Sequence, residues 1–148
     1  IVDMGIKPFL LPPTLSVAIA QRLVSKLCPY CKKKVKPRKE IQDLILKETD
    51  NLPPVIKKRV KIPSPLFIYE AQGCKKCGSK GIAGRIGIFE VLSMTPELAS
   101  LVLKEFDEQK ISQEAFHQGM TTMKQDGILK VLDGITTIEE VLRVAEEK

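Results

Sequence analysis

The sequence predicts a mainly α-helical protein with a small antiparallel β element, in which a four-cysteine subdomain precedes a C-terminal helical bundle. Three observations predict it. Two C-x-x-C turns, Cys28-Pro29-Tyr30-Cys31 and Cys74-Lys75-Lys76-Cys77, contain all 4 cysteines of the chain. After residue 94, four apolar stripes of helical period follow one another, each with its own capping residues. Two runs of strand composition, Leu66-Phe67-Ile68-Tyr69 and Ile88-Phe89-Glu90-Val91-Leu92, flank the second turn.

Residues 1–13 contain Gly5, Pro8 and Pro12-Pro13 and are expected to be extended or turning. Thr14 is a candidate N-cap for a helix from Leu15 to Leu27. That helix would carry Leu15, Ile19, Leu23 and Leu27 on one side and Val17, Ala20 and Val24 on much of the other. A helix this apolar belongs between two layers or against another domain. A shorter helix is expected from Glu40 to Lys47, with Ile41, Leu44 and Ile45 facing inward. Pro53-Pro54 starts a further helical piece carrying Val55, Ile56 and Val60, and Pro63 and Pro65 end it. Gly78, Gly81, Gly84 and Gly87 loosen the turn into the 88–92 run, which is expected to pair antiparallel with 66–70.

The C-terminal helices announce themselves by their ends. Thr95-Pro96-Glu97 supplies an N-cap, a proline at the first helical position and an acid in the first turn, with Leu98, Leu101 and Val102 as the buried stripe. Ser112 is read as the start of the next helix, which carries Ala115 and Phe116 and ends near Gly119. A third runs from about Thr121 to Leu132, with Met120, Met123, Ile128 and Val131 inward, Gly127 allowing close approach and Gly134 as its stop. Thr137-Ile138-Glu139-Glu140 reads as a capping box for the last helix, which buries Ile138, Val141, Leu142 and Ala145.

With 148 residues, 43% hydrophobic and 28% charged, the chain suits one ordinary domain or two small subdomains. No apolar run in these residues comes near the roughly 20 that span a bilayer, and no signal peptide is visible among them. The chain enters at Ile1 without an initiator methionine, so a piece of a longer protein is expected. The net charge of +6 is unevenly distributed: residues 32–80 carry 14 Lys/Arg against 5 Asp/Glu (+9), residues 81–148 carry 7 against 12 (−5), and residues 1–31 supply the remaining +2. Such a basic segment can meet phosphate, acidic lipid or an acidic partner, or can be a solvated surface.

The chemistry lies in the cysteines. A two-residue spacer lets both sulfurs of a turn face one tetrahedral ion, so Cys28, Cys31, Cys74 and Cys77 are the candidate ligands of a zinc ion. Four thiolates leave no open position, which makes the site structural. The 42 residues between Cys31 and Cys74 exceed the common spacing, but each turn is a complete half-site and a longer loop adds little closure entropy. Binding would contribute on the order of 10 kcal/mol to the folding of a proline-broken segment. Redox use of the pairs fits less well, because such pairs open a helix in a βαβ unit and these follow a helix and a strand. Disulfides would require an oxidising compartment that nothing in the sequence indicates.

Other features are weaker. Gly73 to Lys80 imitates a phosphate-binding loop, but Ser79 precedes Lys80 and two of the intervening positions are cysteines. His117 has no catalytic partner and reads as structural. Met120 and Met123 sit at core spacing, and Glu139-Glu140 is explained by capping. Arg22, on an otherwise apolar element, and Arg85, among glycines, are either surface arginines or contacts to an anion or a nucleotide edge.

Three segments together resemble the secretion and pilus assembly ATPases: Ala20-Gln21-Arg22-Leu23-Val24-Ser25-Lys26-Leu27-Cys28-Pro29-Tyr30-Cys31, then Gly84-Arg85-Ile86-Gly87-Ile88-Phe89-Glu90-Val91-Leu92, and finally Gly119-Met120 through Asp126-Gly127 with Gly134-Ile135-Thr136-Thr137-Ile138-Glu139-Glu140-Val141-Leu142-Arg143-Val144. The resemblance covers essentially the whole chain, except that residues 32–65 lack recognisable motifs.

The resemblance implies a cytoplasmic, ring-forming ATPase, usually a homo-hexamer, that powers type II secretion or type IV pilus assembly against a platform protein at the inner face of the cytoplasmic membrane. Its RecA-like α/β domain would bind ATP and Mg upstream of residue 1, since no Walker motif occurs here. On this division, residues 1–27 end the RecA-like domain, 28–83 form the zinc-binding insertion and 84–148 the C-terminal helical subdomain. Members that retract pili lack the four cysteines, which points to an assembly or secretion motor. This chain alone is then expected to hydrolyse no ATP. The alternative is a nucleic-acid-binding zinc module that uses the basic segment on phosphates. A third role, compatible with the motor, is contact of the basic segment with acidic lipid or with the acidic cap of a neighbouring subunit.

Overall fold

Residues 17–27 satisfy two periods at once, because a spacing of four is also a multiple of two. Leu15, Ile19, Leu23 and Leu27 therefore fit a helix and a strand equally well, and β-branched Val17, Ile19 and Val24 tip the balance towards the strand. In the computed structural model of the chain, which describes residues 4–104 and 107–145, this stretch is strand β1 (Val17–Leu27). The expected helix from Leu15 to Leu27 is thus corrected. Just before it, a 3-10 turn at Pro8–Leu10 leads into a single α-helical turn, Leu11–Thr14 (α1). Residues 1–3 of the expected N-terminal segment lie outside the described residues.

Among the described residues, four strands form two separate two-stranded antiparallel ribbons. β1 pairs with β4 (Ile82–Ser93) in continuous register from Val17↔Ser93 to Ser25↔Arg85, followed by an irregularity between Ser25 and Leu27. β2 (Lys32–Val35) pairs with β3 (Ile68–Ala71) from Lys32↔Ala71 to Val35↔Ile68. The expected pairing of 66–70 with 88–92 is corrected accordingly. Each takes a partner from the first third of the chain instead, so the knuckle Cys28–Cys31 joins two strands of different ribbons, as does Cys74–Cys77.

The later helices start close to their expected positions, with one exception. α2 (Lys39–Asp50) and α3 (Pro54–Lys57) occupy the segment between the ribbons' strands. α4 (Pro96–Lys104) begins after Thr95, whose hydroxyl accepts the Leu98 N–H. α5 (Glu108–Gln118) starts four residues earlier than Ser112, because the Asp107 carboxylate accepts the Gln109 N–H; Gly119 ends it in the left-handed conformation at φ 89°. α6 (Met123–Leu132) has a reciprocal capping box between Thr122 and Gln125. α7 is Ile138–Ala145. Among the described residues no helix is long and apolar enough to cross a membrane.

Three small cores hold these elements together. The largest joins Ile45 of α2, Leu66 and Ile68 around β3, Ile128 and Val131 of α6, and Ile138 and Val141 of α7. Gly127 lets α6 and α7 touch: a Cβ there would lie 2.5 Å from a Val141 methyl. A second core packs Leu11 against Leu98 and Val102 of α4, with Ile111 of α5 beside it. The third seats one face of the β1–β4 ribbon, Val24 and Ile88, on Val144 of α7. The opposite ribbon face stays bare, with Val17, Ile19, Leu23, Phe89 and Val91 between 38% and 61% exposed.

The irregular end of β1 is held by two side chains and one backbone bond from the segment around the start of α7. The Ser25 N–H donates to the Glu140 carboxylate (2.8 Å), the Ser25 carbonyl accepts the Thr136 hydroxyl (2.8 Å), and the Leu27 N–H reaches the Ile135 carbonyl (2.8 Å). The capping box expected at Thr137 is therefore only half formed. Its hydroxyl accepts the Glu140 N–H, while the Glu140 carboxylate serves β1 instead. The Ser25 N–H, helped by Arg143 and opposed by partial burial, holds the Glu140 carboxyl below its usual range. Its folded pKa is thus below the unfolded value, and its contribution is present above the unfolded carboxylate range and lost as pH falls through the folded pKa. Glu140→Gln should lower stability by about 1 kcal/mol at neutral pH, and the gap to wild type should close in acid. Urea melts at several pH values check this, and a gap independent of pH contradicts it.

Candidate metal centre

Each C-x-x-C turn folds by backbone bonds that aim its two sulfurs the same way. The Cys28 carbonyl accepts the N–H groups of Cys31 and Lys32, and the Cys74 carbonyl accepts those of Cys77 and Ser79. The two turns are tied together by the Cys28 N–H, which donates to the Gly81 carbonyl at 2.9 Å. All four sulfurs, of Cys28, Cys31, Cys74 and Cys77, lie within 4.8 Å of one another. Cys28 to Cys74 and Cys31 to Cys77 are each 3.9 Å, and Cys74 to Cys77 is 3.7 Å. Metal–sulfur bonds of about 2.3 Å in a tetrahedron place the sulfurs roughly 3.8 Å apart. The donors therefore fit a zinc-sized ion, and the cysteines are free thiols, far from the roughly 2.05 Å of a disulfide.

The electrostatics differ between the thiols. Burial, with the neighbouring Cys28 thiol, pushes Cys31 up to about 12. Cys77 goes the other way, to about 6, because its sulfur accepts the Cys74 N–H at 3.2 Å and the Gly81 N–H at 3.3 Å against the opposing effect of burial. Such N–H···S bonds hold a sulfur in the thiolate form a metal takes.

Gly81 is thus built into the site twice, by its carbonyl and its N–H. Its φ is +72°, and a Cβ would lie 2.6 Å from the Ala71 carbonyl oxygen. Gly81→Ala adds left-handed strain of about 1–2 kcal/mol to that backbone clash, so a loss of about 2–3 kcal/mol and a melting shift on the order of 5–10 °C are expected. A thermal melt of the metal-loaded protein showing a shift under about 2 °C would contradict it.

The lysines around the knuckles are engaged rather than idle. Lys32 Nζ donates to the Gly134 carbonyl at 2.6 Å, just past the end of α6, and lies 5.1 Å from the Tyr69 ring centre. Lys34 sits over Phe67 at 4.5 Å and Lys76 over Tyr30 at 3.7 Å. Tyr69, Phe67 and Tyr30 thus each carry a lysine on one face.

The other candidate residues are not brought together. Arg22 pairs across the ribbon with Ile88, and Arg85 with Ser25, so the alternation of a strand puts them on opposite faces. Both are exposed, and the Arg22 guanidinium donates to the neighbouring Gln21 carbonyl. His117 is exposed on α5. Met123 packs at the edge of the core under the ribbon. Residues 73–80 are spent on the second knuckle, with Gly78 and Ser79 both left-handed. Lys32, Gly81 and the Ser25–Thr136–Glu140 contact escaped the sequence reading. The regular glycine spacing hinted at Gly81, whereas nothing local signals the other two.

Four thiols gathered where the two ribbons meet, next to a set of packed helices, define a tetracysteine lobe whose sulfurs could together hold a metal ion. The family model described as type II/IV secretion system protein matches residues 1–143, and the chain belongs to that family. It is 42% identical over 147 residues to a type II secretion system ATPase E of Vibrio cholerae, covering 98% of this chain and 26% of that protein. It is 37% identical over 148 residues to a type II secretion system protein E of Pseudomonas aeruginosa (100% and 27%). To a type IV pilus assembly ATPase PilB of Myxococcus xanthus it is 34% identical over 142 residues (96% and 23%). The chain spans about a quarter of the length of these curated relatives.

Proposed function

We propose that this chain is the C-terminal part of a motor ATPase that powers type II secretion or type IV pilus assembly, and that it contributes architecture rather than chemistry. Its four cysteines hold one zinc ion that locks residues 28–83 as an insertion between a RecA-like domain ending near residue 27 and the helical subdomain 84–148. The observation that carries the zinc assignment is the 3.7–3.9 Å sulfur spacing, which matches the edge of a zinc–thiolate tetrahedron. Cys28, Cys31, Cys74 and Cys77 are the ligands, and zinc supplies only a cross-link.

The bare ribbon face supports the attachment. Val17, Ile19, Leu23, Phe89 and Val91 form an apolar surface of the kind that another domain covers, and we assign it to the preceding RecA-like core. ATP and Mg would bind in that core, in a cytoplasmic homo-hexamer working against an inner-membrane platform protein. Arg22 and Arg85, on opposite faces of the ribbon, would at most touch the edge of such a nucleotide one at a time.

The isolated 148 residues are then expected to show no saturable ATP hydrolysis, while the longer protein containing them does. A coupled phosphate-release assay on both decides it. Saturable turnover by the isolated chain would refute the division of labour.

A further inference from the structure

Tyr30 and Lys76 occupy equivalent places in the two knuckles, each directly before the second cysteine of its C-x-x-C. Lys76 Nζ lies 3.7 Å from the Tyr30 ring centre, closer than the three other ammonium–ring contacts among the described residues. Those three join β2 to β3 or to the residue just before it, or a strand to a helix. This one spans the two halves of the metal centre. Tyr30 is 68% exposed, so burial does not fix its ring there. Cys28 is buried, whereas Cys31, Cys74 and Cys77 are only partly covered, which leaves the sulfurs a solvent side.

We infer that Tyr30 and Lys76 form a latch across the two knuckles that slows loss of the metal; this rests on the zinc assignment proposed above. A four-thiolate site opens when one turn swings away from the other, and any contact shared between the turns must break in that step. The backbone link from Cys28 to Gly81 is one such contact, and the Lys76–Tyr30 pair is the side-chain one. An ammonium on an exposed ring is a modest interaction, so its loss should change a rate by about two- to fivefold rather than abolish binding. Lys75 lies in the same turn with the same charge but has no ring beneath it among these contacts. It separates the latch from a general effect of positive charge near thiolates.

The test is zinc release from the zinc-loaded protein into an excess of chromogenic chelator, followed by absorbance at neutral pH. Lys76→Met and Tyr30→Leu should each release zinc about two- to fivefold faster than wild type, and the double variant no faster than the faster single. Lys76→Arg, Tyr30→Phe and Lys75→Met should stay near the wild-type rate. Wild-type rates for Lys76→Met and Tyr30→Leu would overturn the latch, as would equal acceleration by Lys75→Met or multiplied effects in the double variant. Should Tyr30→Leu fail to fold, Lys76→Met alone against Lys75→Met still decides. A wild-type protein that carries no zinc and takes up none would overturn the zinc assignment and the latch together, an outcome distinct from a loaded protein with unchanged rates.

Discussion

Replacing Cys74 by serine, or stripping the metal with a strong chelator, is expected to unfold the segment between the two knuckles. Besides the metal centre, residues 32–73 are held by the short β2–β3 ribbon, by the Ile45, Leu66 and Ile68 side chains in the main core, and by single bonds such as Gln125 to the Asn51 carbonyl. Binding a structural zinc contributes on the order of 10 kcal/mol, as large as the whole stability of an ordinary domain. The damage should spread, because Ile45, Leu66 and Ile68 of that segment share a core with Ile128, Val131, Ile138 and Val141 of the cap. Hydrogen exchange should show lost protection across β2, α2 and β3, with partial loss in α6 and α7. Full protection in the chelated protein or in Cys74→Ser would show that the sulfurs are not what closes the fold.

Ile128→Ala should be the most damaging single change away from the cysteines. Ile128 is 0% exposed and stands where α6 meets α2, β3 and α7. Truncation removes three methyl-sized groups and leaves a void between elements that the surrounding contacts hold in place, at a cost of about 2–5 kcal/mol. For a chain of this size the melting temperature should fall on the order of 10 °C. Ile45→Ala, equally buried but in the basic segment, should cost a similar amount in one shared transition. Two separate transitions, or a shift below about 3 °C for Ile128→Ala, would contradict a common core.

What the sequence revealed and what it hid divide along physical lines. The four thiols were legible because a C-x-x-C turn is local: four residues carry its geometry wherever the rest of the chain goes. The helix ends marked by Thr95, Gly119 and Gly134 were legible for the same reason, since each acts within one turn of itself. β1 was hidden because Leu15, Ile19, Leu23 and Leu27 fit two periods, and its partner β4 lies far along the chain, where no local signal reaches. Separation along the chain also hid the strand partner of β3 and the use of Glu140. A carboxylate at the third position of a helix normally closes a capping box, and here the orphan N–H of Ser25 competes for it successfully. Lys32 was read as one charge in a basic run, yet its ammonium is committed to a carbonyl just past the end of α6.

The most direct test is the metal content of the protein as purified, paired with a count of reactive thiols before and after chelation. The expected result is one zinc per chain, with the 4 cysteines shielded until zinc is removed and all 4 reactive afterwards. A protein without metal whose cysteines are paired as disulfides would contradict it.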